Sequence, residues 1–235
     1  MLTLLTFPGG FEQPSHSPFC IKAMGLLEMS GQKWQPKYLS NPSKMPLSRL
    51  PVLKTSNGLV PDSAMIQGWL EARGAEFYDG LTDIERAQAH AITRMVEENL
   101  RLGLVHDRWL NETCWRITRD AFFKEIPVVL RPAIAGHVRK KARAGLVAHG
   151  IAQFTESDRL GRLEKDLDAL DQLLGSQKFL FGEKPSGADV AVVPVLDGIR
   201  TLPVATGLRV LVHERESLVA YVHRGRDAFY PSLPA

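Results

Sequence analysis

The residues best placed to do chemistry stand together near the start of the sequence, in Ser17-Pro18-Phe19-Cys20. The apolar run of residues 2–7 before them predicts a buried strand, which Pro8-Gly9-Gly10 ends. Pro18 is typical of the first turn of a helix, because the N–H groups of that turn have no helical partners in any case. Ser17 is therefore predicted at the N-cap, beside free N–H groups and the positive end of the helix dipole. This position suits a thiolate; the alternative interpretation is a plain helix cap.

Cys20 is predicted in the first turn of the same helix, and two interpretations of it remain open. It is either a small buried apolar side chain or a reactive thiol, because a helix N-terminus lowers the pKa of a thiol. Position 17 holds no cysteine, so Cys20 has no local partner for a dithiol cycle.

A second candidate site is Asp62-Ser63, which precedes the helical apolar pattern of residues 65–70. A helix N-terminus and the Ser63 hydroxyl would suit a carboxylate, and the Asp62 side chain would suit an ammonium group. The alternative is again an ordinary N-cap. Leu50-Pro51 stands just before the short apolar strand pattern of residues 52–53, where proline is common at the first residue of an edge strand.

The elements that must position these residues alternate in the first half of the chain. The first helix is predicted to end near Met29, and residues 34–39 predict a strand that Pro36 restricts to a sheet edge. Strands before and after Asn57-Gly58 predict a hairpin, and the helix that begins at Asp62 ends near Gly74.

From Thr82 onward the pattern is helical throughout. Residues 132–149 form a basic helix, whose charges indicate a solvated face or, alternatively, contact with an acidic substrate tail or membrane lipid. Ser186 and Asp189 form a capping box before a nearly all-apolar helix, which should be central and kinked at Pro194.

Composition excludes several functional classes. The 235-residue chain is 44% hydrophobic with a net charge of only +3, which indicates a globular protein without a nucleic-acid partner. No run approaches the ~18 apolar residues of a membrane helix, and the N-terminus lacks the features of a secretory signal. Two distant cysteines fit a reducing cytoplasm, and the scattered histidines predict no metal site.

The pattern at residues 17–20, following a first strand, resembles the active-site turn of the thioredoxin and glutaredoxin group. The position that is usually the nucleophilic cysteine is Ser17 here, which cannot open a disulfide but can donate a hydrogen bond to a bound thiol. With the Leu50-Pro51 strand entry and Asp62-Ser63, the chain resembles a glutathione transferase. That resemblance implies a thioredoxin-like α/β domain over residues 1–75 that binds glutathione, followed by an all-helical domain over residues 82–235.

Further motifs narrow the resemblance to the metaxin-like, failed-axon-connections branch of glutathione transferases. They are residues 17–22, Asp107-Arg108-Trp109, Gly150-Ile151 and the capping box. The resemblance implies a cis bond before Pro51, strand-like pairing of the Leu50 backbone with the cysteinyl part of glutathione, and an Asp62-Ser63 site for its γ-glutamyl end. It also implies a homodimer. The branch contains enzymes as well as proteins better known for protein interaction.

The expected activity is conjugation of glutathione to a small electrophile, with glutathione as substrate and no metal. Ser17 is expected to stabilise the thiolate, and Ser15 is the reserve candidate. Two alternatives stay open: a glutathione-dependent thiol reductase that uses Cys20, and a non-catalytic binding protein on the same fold.

Overall fold

The computed structural model describes residues 1–230 and begins with a four-stranded sheet. Its strands, in the order β2-β1-β3-β4 across the sheet, are β1 Leu2–Thr6, β2 Trp34–Tyr38, β3 Val52–Thr55 and β4 Gly58–Pro61. β1 pairs with β2 in parallel, and the β1–β3 and β3–β4 pairs are antiparallel. The edge position of β2 agrees with Pro36, which has no N–H to donate to a further strand.

Two helices belong to this sheet layer: α1 Pro18–Met29 and α2 Ser63–Glu71. Every residue of α1 from Cys20 to Leu27 is buried, because the helix lies between the sheet and a helix of the second half. The predicted thioredoxin-like arrangement of strands and helices is confirmed.

Every further element of the described chain is a helix. The helices are α3 Asp83–Met95, α4 Arg101–Leu110, α5 Glu112–Phe122, α6 Arg131–His149, α7 Glu156–Leu174, α8 Gly187–Arg200, α9 Gly207–His213 and α10 Glu216–Phe229. A π-helical turn, Val96–Leu100, joins α3 directly to α4. α8 is buried from Gly187 to Ile199 and packs against α1, α3 and α10, so it is central as its apolar sequence predicts. The last five residues of the predicted helical domain lie outside the described residues.

One local prediction was wrong by a residue. Thr55 pairs with Gly58, so the two-residue hairpin turn is Ser56-Asn57 rather than Asn57-Gly58. Gly58 instead begins β4 with φ +129°, a left-handed backbone value that glycine adopts without a steric cost.

Pro194 lies inside a continuous helix that runs from Gly187 to Arg200. Among residues 1–230, no helix combines the length and apolar character needed to cross a membrane.

Candidate functional site

Ser17 is the N-cap of α1, and Pro18 is its first helical residue, as predicted. The serine backbone is extended (φ −110°, ψ 121°), and its side chain makes no capping hydrogen bond. Ser17 is half-buried. The hydroxyl at the start of the helix is thus not used as a cap of α1.

Three hydroxyl-bearing residues surround the buried thiol of Cys20. The Thr6 Oγ1 donates a hydrogen bond to Ser15 Oγ at 3.3 Å, and the Ser17 N–H donates to the same oxygen at 3.4 Å. Burial raises the pKa of the Cys20 thiol, and hydrogen bonds with Thr6, the Phe7 backbone, Ser17 and Ser15 offset part of that rise. Ser15 is only 1% exposed and Cys20 is fully buried.

A cleft of about 400 Å³ lies between the sheet layer and the helical layer. Residues of the sheet layer that line it include Phe19, Leu50, Pro51, Asp62 and Ser63. The predicted glutathione-binding residues therefore lie on one wall, and the Leu50–Pro51 bond is cis, as the resemblance implies.

Ser15, Ser17 and Cys20 do not line this cleft themselves. They adjoin its wall, because Cys20 packs in one apolar cluster with Leu50 and the lining residue Phe19 follows Ser17 by two positions. A smaller cavity of about 220 Å³ at the end of α7 contains none of the predicted site residues.

Asp62, the N-cap of α2, has an unusual backbone conformation. Its φ is +68°, in the left-handed half of the map where a residue with a Cβ is strained. Its N–H donates to Pro51 O at 3.0 Å, and its carboxylate accepts from Ala64 N at 2.8 Å. These bonds fix the N-terminus of α2 beside Pro51, with Ser63 as the first helical residue.

The opposite wall of the cleft comes from the end of α3, the π turn and the start of α4, with lining residues Arg94, Glu97, Glu98 and Arg101. Lys22 of α1 reaches across the layers and donates from Nζ to Glu97 Oε1 at 2.7 Å. Both partners of this ion pair are buried, at 3% and 6% exposure. The pair therefore joins the helix that carries Ser17 to the π turn that lines the cleft.

Two guanidinium groups at the cleft have no carboxylate partner within residues 1–230: Arg49 and Arg101. Arg101 covers the Phe19 ring at 5.1 Å from its centroid and donates from Nε to the Glu97 carbonyl at 2.7 Å. Burial lowers the pKa of Arg101, with nearby Glu98 and Glu97 acting in the opposite direction. These cations give the cleft capacity for an anionic ligand.

The helical layer also holds the loop that precedes Ser17. Arg108 of α4 donates from Nη1 to the His16 carbonyl at 2.8 Å, and Arg226 of α10 donates to the Glu12 carbonyl at 2.9 Å. The Gln13 side chain donates to Thr201 Oγ1 at 3.2 Å. Side chains of the second half of the chain therefore hold the loop that leads into the turn.

His16 is nearly buried, and its ring lies 4.0 Å from that of Phe122. Burial, with the positive charges of Arg108 and Lys124, lowers the pKa of His16 to about 4. The imidazole is neutral at physiological pH. Neither ring nitrogen has a hydrogen-bond partner among the described residues.

Sequence reasoning missed the contribution of the helical layer to the site. Thr6 could have been noticed as the polar end of an apolar strand. The pairing of Lys22 with Glu97 had no such signal, because the two residues are 75 positions apart. They meet only because α1 and the π turn both pack against α8.

Comparison with known proteins gives two family matches. Residues 18–114 match the model of the glutathione S-transferase N-terminal domain, and residues 132–224 match that of the glutathione S-transferase C-terminal domain. Together they cover most of the chain.

Individual relatives agree with these matches. Metaxin-1 of Mus musculus is 26% identical over 98% of this chain and 75% of its own length. The isoprene-epoxide–glutathione S-transferase of Rhodococcus sp. strain AD45 is 25% identical over 97% of this chain and 99% of its own length. The crystal structure of glutathione transferase GSTFuA3 from Phanerochaete chrysosporium superimposes with a TM-score of 0.67 at 16% identity, covering 100% and 98% of the two chains. These matches confirm the predicted fold class and the metaxin-like branch.

Proposed function

The chain belongs to the glutathione S-transferase family, and we propose that it binds glutathione in the cleft between its two layers and conjugates the thiol to a small electrophile. The observation that carries this proposal is the common wall formed by Leu50, Pro51, Asp62 and Ser63. The Ser17 hydroxyl, which makes no capping bond, precedes the lining residue Phe19 by two positions.

Each part of glutathione has a complementary group in this arrangement. The γ-glutamyl carboxylate would lie at the N-terminus of α2 near Ser63, with its ammonium group near Asp62. The Leu50 backbone would pair with the cysteinyl part as an added strand does. The unpaired cations Arg49 and Arg101 balance the net negative charge of the tripeptide.

The thiol of glutathione needs activation, because only a few per cent of a free thiol is ionised at neutral pH. Lowering its pKa by about two units requires roughly 2.7 kcal/mol of preference for the thiolate. A hydrogen bond from a hydroxyl to a charged group contributes about 1.5–3 kcal/mol, and the positive N-terminal end of a helix dipole adds roughly 0.3–1 kcal/mol. Ser17 at the start of α1 therefore suffices without a general base.

We propose an epoxide as the first electrophile to test, since the Rhodococcus relative is named for an epoxide substrate. The thiolate sulfur would attack an epoxide carbon, the carbon–oxygen bond would break, and the alkoxide would take a proton from water. The product is a thioether with an adjacent hydroxyl group.

The reductase alternative has less support. Cys20 is fully buried and its thiol pKa is raised, so the thiolate that such chemistry needs is disfavoured. Ser15 is also disfavoured as the thiol partner, because it is only 1% exposed whereas Ser17 is half-buried.

Calorimetric titration with glutathione tests the binding step. We expect Ser63→Ala and Asp62→Asn each to weaken binding about tenfold or more, because each removes a bond to a charged group. Ser176→Ala, at the distant smaller cavity, is the matched control and should bind normally. Equal affinities in all four proteins would contradict the assigned site.

Conjugation is tested separately with an epoxide and mass detection of the thioether. Binding without product formation across a panel of electrophiles would contradict catalysis and favour the non-catalytic alternative.

A further inference from the structure

The positive charge of the chain is concentrated in one segment. Residues 126–155 contain five arginines and lysines and no acidic residue, whereas the whole chain has a net charge of only +3. α6 makes up most of this segment and lies on the surface: only Ala135 and Leu146 among its residues are buried.

The turn that leads into α6 exposes consecutive aliphatic side chains. Val128, Val129 and Leu130 are 74%, 89% and 53% exposed, and Ile134 in the first turns of the helix is 42% exposed. Single exposed apolar residues are ordinary, but a consecutive run is a feature of interaction surfaces. Side chains this exposed project from the protein.

The cations of α6 divide into two groups. Arg139 is used within the fold, since it binds the Glu112 carboxylate and the Trp109 carbonyl. Lys140, Lys141 and Arg143 are exposed and form no ion pair with any residue of the described chain.

The two free lysines lie on the side of α6 that continues from the aliphatic turn. Lys141 follows Ile134 by seven residues, which is two helical turns, so the two share one face, and Lys140 lies next to it on the side away from the buried Ala135 and Leu146. Ile134 and Lys141 are separated by about 10 Å along the helix axis. We define the basic helix surface as residues 127–130 together with Ile134, Lys140 and Lys141.

We propose that the basic helix surface binds membranes rich in anionic lipids. The aliphatic turn would insert among the upper acyl chains while the lysines contact lipid phosphates, as in other interfacial helices. The helix would lie along the membrane rather than cross it. This binding would be separate from the glutathione cleft, which uses none of these residues.

Charge favours a lipid surface over a second copy of this chain. A two-fold contact through this face would bring Lys140 and Lys141 against their own counterparts, where like charges repel. An acidic protein could pair with the lysine charges but would need a pocket for three projecting aliphatic side chains. A bilayer with anionic lipids can pair with the lysines and bury the aliphatic side chains without such a pocket.

Vesicle co-sedimentation of the full chain tests the proposal. The probes are vesicles of phosphatidylcholine alone and vesicles with about one third phosphatidylserine. We expect binding to the anionic vesicles only, weakening as salt screens the lysines. Lys140→Glu/Lys141→Glu should weaken binding by about 30-fold or more, and Val129→Asp by about tenfold or more.

Matched control variants distinguish an effect of the basic helix surface from an effect of the total charge of the protein. Lys33→Glu/Lys165→Glu changes the same charge at exposed sites elsewhere on the protein, and Val210→Asp alters another exposed valine. Both should bind anionic vesicles like the parent, and circular dichroism with glutathione titration checks that every variant is folded.

No binding to anionic vesicles at low salt would overturn the proposal, and so would equal losses in the test and control variants. Binding to soluble polyglutamate without binding to vesicles would assign the face to an acidic protein instead, and also overturns it.

Discussion

Two serines occupy the same structural position in the two layers and have different uses. Ser17 is the N-cap of α1 and Ser186 is the N-cap of α8. The Ser186 N–H and hydroxyl both donate to Asp189 Oδ2 at 2.7 Å, which confirms the predicted capping box. The Ser17 hydroxyl makes no such bond, because no acidic residue lies in the first turn of α1.

The difference indicates that the Ser186 hydroxyl stabilises the fold and that the Ser17 hydroxyl serves a ligand. At α8 the serine completes a buried network around Asp189, which also accepts hydrogen bonds from Leu180 N at 2.9 Å and Tyr221 OH at 2.7 Å. At α1 the same residue type retains its bonding capacity for a ligand. A serine whose hydroxyl bonds a buried carboxylate stabilises the fold, and one that makes no capping bond can turn its hydroxyl to a thiolate.

The largest effect should come from Asp189→Ala. This change removes four accepted hydrogen bonds in a fully buried site, so we expect a loss of about 3–5 kcal/mol in unfolding free energy, measured by urea denaturation. The exposed Asp227→Ala on α10 should change it by less than about 0.5 kcal/mol. A loss for Asp189→Ala as small as that of the control would contradict the claim that the network of Ser186 and Asp189 stabilises the fold.

Lys22→Met should cost nearly as much, about 3 kcal/mol, because it leaves Glu97 buried without a counter-ion. The double variant Lys22→Met/Glu97→Leu should recover most of that loss in the same denaturation experiment. If the double variant instead lost the sum of the two single losses in unfolding free energy, the pair would not stabilise the contact between α1 and the π turn.

His16, which precedes Ser17, should make the stability of the protein depend on pH. The folded pKa of His16 is about 4, below its ordinary value, so the unfolded chain takes up a proton first as the pH falls. Stability should therefore be lost between about pH 6.5 and pH 4, by up to about 3 kcal/mol. His16→Gln should remove this slope, whereas His90→Gln at an exposed position should keep it. Parallel profiles for parent and His16→Gln would contradict the buried neutral imidazole.

The two serines themselves give the smallest and most direct contrast in stability. We expect Ser186→Ala to lower the unfolding free energy by about 1 kcal/mol, since it loses a cap, and Ser17→Ala by less than about 0.5 kcal/mol. Equal losses would mean that the Ser17 hydroxyl supports the fold after all.

Local patterns predicted much of this architecture and part of the site. Pro18, the capping box and the short apolar runs identify helix starts and strands, because these signals act over a few residues. The wall of the cleft that includes Glu97 and Arg101, and the bond from Arg108 to the His16 carbonyl, depend on contacts between distant segments. Burial, which sets the pKa of Cys20 and His16, likewise follows only from packing.

The pKa of the glutathione thiol in its complex tests the central claim most directly. It can be followed by ultraviolet absorbance of the thiolate during a pH titration of the complexes of the parent and of Ser17→Ala. We predict a value about two units below that of free glutathione for the parent, and a rise of about 1–2 units on substitution. The same pKa in both complexes, with unchanged glutathione affinity, would contradict the account.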